Sequence, residues 1–211
     1  MQDEVFLTRL RERLRGVRVP ERPTDLPLTP ASGDGRLFER FAEELPKVGG
    51  QARRVRPGEL AGVVAELAAG AGAAVVASGL GAHRDAVLEG LATAGCAAEE
   101  PTRERAATAD LGVTGAALGV ASTGSVLIPM GPDAPRVASL LPPLHVVVID
   151  EDRLVPGFGE LFEQMADLSL GRAQTVLVTG PSRTADIELS IVRGVHGPER
   201  MVVLVVANGT E

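Results

Sequence analysis

The chain has 211 residues, 45% hydrophobic and 23% charged, with a formal net charge of -7, no Trp or Tyr and five Phe. That length suits one domain, or a domain with an appended arm, and a substantial core, and no apolar run approaches the ~20 residues of a membrane-spanning helix. The acidic balance and the scarcity of aromatic platforms argue against a nucleic-acid surface.

The N-terminal stretch MQDEVFLTRLRERLRG is charged throughout and lacks an apolar core followed by a small-residue cleavage site. No secretory signal is expected, and a cytoplasmic location is the default. Phe6, Leu7, Leu10 and Leu14 share helical spacing, which predicts an amphipathic helix over residues 3–16 with Arg9, Arg11, Arg13 and Arg15 on its outer face. A solvated face is the simpler reading of those arginines, and a partner-docking arm is the alternative. The prolines between Val19 and Gly35 forbid a continuous helix, so residues 1–35 are read as arm plus linker and residues 36–211 as the folded body.

In the body, helices are expected over Arg36–Leu45 and Glu59–Ala69, with a short strand at Arg53–Arg56 and Pro57 opening the second helix. A β-like run at Ala73–Ala77, a helix at Arg84–Thr93 and a strand near Ala97 follow. Helices alternating with short apolar strands indicate right-handed crossovers and a mainly parallel sheet, so the fold class is α/β. The stretch GAGAAVVASGLGAH is glycine-rich, but Arg84 stands where a dinucleotide fingerprint needs its third glycine.

From Asp110 to Asp133, Val113, Leu118, Val120, Val126 and Ile128 mark strands around a loop of small residues, Gly119 and Ser122, Thr123, Gly124 and Ser125. Such a loop can offer N–H and O–H donors to an anion, or can be a turn whose hydroxyls bond their own backbone. A helix at Pro135–Leu141, a strand at Leu144–Ile149, a helix at Glu160–Leu168 and a strand at Thr175–Val178 are expected to continue one sheet. Asp150, Glu151 and Asp152 read as a solvated acidic turn.

The most informative stretch runs from Gln174 to Val206. Two apolar runs bracket a polar loop, the way an open α/β sheet presents a binding site. Arg183 between Ser182 and Thr184 offers a planar charged fork and two hydroxyls, suited to a small carboxylate or phosphate. Asp186 and Glu188 can orient Arg183 or open the following helix, and the helix start is the simpler reading. His196, between Gly194 and Gly197, is a candidate general acid or base or a structural turn residue. His83 and His145 show no metal-ligand spacing with it. Cys96 is the sole cysteine, which excludes an intrachain disulfide and a cysteine-held cluster or zinc site within this chain alone. Lys47 is the sole lysine and lies in a Pro/Gly-flanked segment outside any Walker-type loop, which argues against a Schiff-base lysine.

The run Thr179-Gly-Pro-Ser-Arg-Thr-Ala-Asp-Ile-Glu188, then Gly194-Val-His-Gly-Pro198, resembles the LUD-domain family, in its lactate utilization protein C (LutC/YkgG-like) group. Gly112-Val-Thr-Gly115, the Ser122–Ser125 turn and Leu141-Pro-Pro-Leu-His145 add to the resemblance, which covers about Arg36 to Val206. It implies a three-layer, mainly parallel α/β fold of the NagB/RpiA/CoA-transferase-like type. It also implies a part in oxidising L-lactate to pyruvate together with iron–sulfur partner proteins, this chain binding a small organic anion and holding no cofactor alone. One departure is Ser122, where the family pattern Ala-Glu/Asp-Thr-Gly-Thr places a carboxylate, so no acid, base or nucleophile role carries over there. The alternatives are a stand-alone acyl-transfer or sugar-phosphate enzyme using His196, and a non-catalytic docking subunit using the N-terminal helix.

Overall fold

The computed structural model describes residues 2–17, 36–77, 79–131, 136–169, 174–185, 191–193 and 196–208. The expected linker, and Asp186 and Glu188, lie outside the described residues. Helix α1 spans Gln2–Leu14. Helix α2 spans Leu37–Lys47 and buries Phe41 and Leu45, one turn apart on a single face. Strand β1 is Gln51–Val55, and a 3₁₀ turn begun by Pro57 leads into α3, Leu60–Leu67. Next come β2 (Ala73–Val76), α4 (Arg84–Thr93), β3 (Ala97–Glu99), α5 (Arg103–Ala106) and β4 (Leu111–Gly115). Strands β5 (Leu118–Val120) and β6 (Ser125–Met130) precede α6 (Val137–Leu140), β7 (Leu144–Asp150), β8 (Leu154–Val155) and α7 (Phe158–Ser169). The chain continues through β9 (Gln174–Val178), β10 (Arg183–Ala185), β11 (Ile191–Arg193) and β12 (Arg200–Val206).

The main sheet has six parallel strands in the order β1-β12-β7-β4-β2-β3. Its central strands are continuous apolar runs because both faces are covered, as parallel sheets require. Side chains alternate between the faces with period two. Val202, Leu204 and Val206 of β12 pack with Val146 and Val148 of β7 against Leu60, Val64, Val87 and Leu91 of α3 and α4. Met201, Val203 and Val205 face the other way with Val147 and Ile149, against Phe41 and Leu45. Burying each such Leu, Ile or Phe contributes about 1.5–3 kcal/mol.

The mainly parallel α/β architecture agrees with the sequence, but the expected single continuous sheet does not form. Residues 118–130, 154–155 and 174–178 build a second, four-stranded sheet in the order β8-β5-β6-β9, with β6 antiparallel to both β5 and β9. Strand β4 already has β2 and β7 on either side, so no place is open beside it for the chain that leaves it. The Ala117 N–H instead donates to the Leu127 carbonyl and starts the separate β5–β6 hairpin. This second sheet packs its Val126, Ile128 and Met130 onto the main sheet. Its other face, with Leu118, Val120 and Leu127, is covered by Leu161 of α7.

Because the strands of the main sheet are parallel, their carboxyl ends (Val55, Val76, Gly115, Asp150 and Val206) share one edge, and their amino ends share the other. Helix α4 leaves β2 on one face, packing Val87 and Leu91 near Ala74 and Val76. Helix α5 returns the chain to β4 on the opposite face, where Ala106 sits with Val75 and Ala77. The order therefore switches between β2 and β4, and open α/β sheets bind ligands at the carboxyl ends of such a crevice.

Candidate functional site

The two loops singled out in the sequence meet. Pairing of Val126 with Val178 sets Ser125 beside Thr179, their hydroxyl oxygens 2.7 Å apart. The Thr123 hydroxyl continues the chain, 2.7 Å from that of Ser125. Ser125 is fully buried. Gly124 has φ +64°, and a Cβ there would stand 2.6 Å from the backbone of Leu45, so the absent side chain admits the end of α2. Ser122 is half-buried and its N–H donates to the Pro156 carbonyl. In this geometry the Thr123 and Ser125 hydroxyls fasten the two strands together.

Beyond Thr179, Gly180 lies against the Val48 carbonyl and the Ser182 N–H donates to the Pro198 carbonyl at 2.9 Å. That bond brings the His196–Gly197 turn alongside Ser182. Strands β10 and β11 form an antiparallel ribbon opposing Arg183 to Arg193. The Arg183 and His196 side chains are exposed. Arg183 takes part in no ion pair among the described residues, and a guanidinium suits bidentate capture of a carboxylate. Thr184 has its backbone in β10, while its side chain and Gly194 lie outside what is described.

This cluster sits at the amino edge of the main sheet. Val48, Pro143 and Pro198 precede β1, β7 and β12, and Glu199 N–H donates to the Pro143 carbonyl. Strand β9 runs in the second sheet antiparallel to β6 and so delivers Thr179 to this edge, opposite the carboxyl ends.

At the carboxyl edge the structure brings together residues that the sequence reading left apart. His83 Nε2 lies 2.6 Å from Asp150 Oδ1. Next to it Arg54 at the end of β1 pairs with Glu151 at 2.6 Å. Asp150 is thus a hydrogen-bonding partner and not only part of a solvated turn. The signal available in the sequence was position alone: a His in the loop after one parallel strand, an Asp ending another.

The third histidine has a structural role. His145 in β7 is fully buried, and Thr114 Oγ1 lies 2.9 Å from its Nε2. Burial pushes its pKa down to about 4, so the ring is neutral at pH 7. Cys96 is buried and its thiol is raised by desolvation, with Asp110 adding to the effect. Among the described residues no group of three or more His, Cys, Asp or Glu could hold a metal ion, and no helix is long and apolar enough to cross a membrane.

Comparison with known proteins places this geometry in context. The LUD domain family model matches residues 38–206. A protein of Deinococcus radiodurans named Lactate utilization protein C is 32% identical over 208 residues, 95% of this chain and 93% of that protein. An uncharacterized protein of Neisseria meningitidis serogroup B is 37% identical over 98 residues, and the match spans 46% of this chain and 42% of that relative's length. The crystal structure of a DUF162 family protein from Deinococcus radiodurans superposes with a TM-score of 0.64 at 26% identity, over 81% of this chain and 96% of that one.

Proposed function

The chain belongs to the LUD domain family, and from that premise we propose that it is a component of an L-lactate utilisation system. The observation that carries this reading is the near full-length similarity to a lactate utilization protein C. In the proposed system L-lactate loses two electrons and two protons to give pyruvate, and the electrons pass to iron–sulfur partner proteins. The donor chemistry of this chain does not fit a cluster of its own, since its one cysteine is buried. Its own contribution is a small-anion contact at the amino edge, where exposed Arg183, with Ser182 and the His196 turn alongside, meets a carboxylate bidentately.

The test is reconstitution of the lactate-oxidising assembly with and without this chain, reading L-lactate-dependent reduction of an electron acceptor. Omission is expected to abolish the activity, and an unchanged rate would overturn the reading.

One observation favours a second reading, a docking subunit. Helix α1 leaves Phe6 65%, Leu14 54% and Val5 53% exposed, an apolar set that nothing among the described residues covers. Deleting residues 1–22 then abolishes partner binding while the body stays folded, and retained binding would exclude this route.

A further inference from the structure

We propose that the His83–Asp150 pair is a proton-transfer site for a small 2-oxo acid at the carboxyl edge of the main sheet, an activity of this chain itself. It rests on the lactate-utilisation reading only for the choice of substrate class.

The fold assembles this pair from residues 67 positions apart. The loop after β2 crosses the end of β4, where a Cβ on Gly115 would stand 2.0 Å from the Gly79 carbonyl oxygen, a crossing that only glycine at Gly115 permits. Gly79 itself has φ +96° and Gly81 φ +53°, the left-handed backbone that turns the loop toward β7. The loop thereby carries His83 from the switch between β2 and β4 across the end of β4 to Asp150 at the end of β7, on the carboxyl edge where open α/β sheets hold ligands. The other two histidines lack this combination: His145 is sealed in the core, and no described carboxylate bonds to His196. The His83 side chain keeps 17% of its surface exposed and Asp150 keeps 51%, so a small molecule reaches them without opening the core.

The chemistry follows from the hydrogen bond. An ionised carboxylate only accepts, so Asp150 fixes the proton on Nε2 and leaves the lone pair of Nδ1 as the base. Asp150 is a positioning residue, and His83 is the group that touches the substrate. Nδ1 takes a proton from C3 of the 2-oxo acid and the C–H electron pair forms the enolate double bond. Negative charge collects on the former carbonyl oxygen, at the edge where the positive ends of α3 and α4 lie. Return of the proton from the imidazolium regenerates the acid. The cycle exchanges one proton and consumes no oxidant.

The experiment uses the full chain with pyruvate in D2O and follows loss of the methyl signal by proton NMR. The wild type is expected to exchange faster than buffer, and His83→Gln to lose about 10²-fold or more of that rate, the usual contribution of a general base. Asp150→Asn lowers the rate and Asp150→Glu recovers part of it, which a purely structural carboxylate would not produce. A wild type no faster than buffer, or a folded His83→Gln variant as fast as wild type, overturns the proposal. Exchange by a chain that the reconstituted lactate assembly does not need upholds this site and removes only the lactate reading. An assembly that needs the chain, with no exchange by the chain alone, removes this site and leaves the lactate reading standing.

Discussion

Ser125 and Thr179 join hydroxyls at 2.7 Å across 54 residues of chain, and this bond seats the antiparallel pairing of β6 with β9 at its loop end. Ser125 also meets the Thr123 hydroxyl, so its removal takes a partner from half-buried Thr123 and from exposed Thr179, both within reach of water. Ser125→Ala is expected to destabilise the fold by about 0.5–1.5 kcal/mol, the net range for an intramolecular hydrogen bond. Urea unfolding checks this: the midpoint falls while the slope with denaturant stays that of wild type.

Gly124 and Gly70 separate two costs that a Gly→Ala change can carry. Both have positive φ, +64° and +82°, but a Cβ on Gly124 would lie 2.6 Å from the Leu45 backbone and one on Gly70 would meet nothing within 4 Å. Gly70→Ala costs only left-handed strain, about 1–2 kcal/mol. Gly124→Ala adds overpacking against α2, about 1–3 kcal/mol more. Equal destabilisation of the two variants in chemical unfolding would contradict the packing of α2 on this turn.

Much of the fold was legible because β7 and β12 carry the apolar runs Val146–Ile149 and Met201–Val206, and because the helical spacing of Arg84–Thr93 matches α4 residue for residue. The second sheet was not legible. Leu118, Val120, Val126 and Ile128 have the composition of any strand, and what excludes them from the main sheet is that β4 is already flanked by β2 and β7. The meeting of the two hydroxyl loops depended on that same pairing, since Val126 opposite Val178 sets Ser125 beside Thr179. The edge on which the loops lie depended on the direction of β9, which local sequence does not encode. His83 and Asp150 were each visible as residues, but their contact is made by a loop crossing the end of β4, a tertiary event with no local signature.

His145 makes stability depend on pH in a stated window. Its folded pKa is depressed to about 4 by burial, below its ordinary value of 6.5. Between these values the unfolded chain binds more protons than the folded one, so the contribution is present above pH 6.5 and is lost as pH falls toward 4. The full span corresponds to about 3 kcal/mol for this one group. Urea midpoints measured from pH 7 to pH 4 are expected to fall with this slope, and a folded His145→Gln variant to show a flatter dependence over the same range.

Arg183 separates ligand binding from folding. Its side chain is exposed and in no ion pair among the described residues, so Arg183→Ala alters stability by no more than about 0.5 kcal/mol, as surface substitutions do. If the amino-edge loop holds a small organic anion, L-lactate or pyruvate at 100 times its dissociation constant stabilises the wild type by about 2.7 kcal/mol. A thermal-shift series on the two proteins reads both effects at once. The expected result is equal melting without ligand, and a rise with L-lactate or pyruvate that disappears in the variant. A rise that persists in Arg183→Ala places the anion elsewhere on the molecule, and a rise with coenzyme A or a sugar phosphate alone points to the stand-alone transfer enzyme instead.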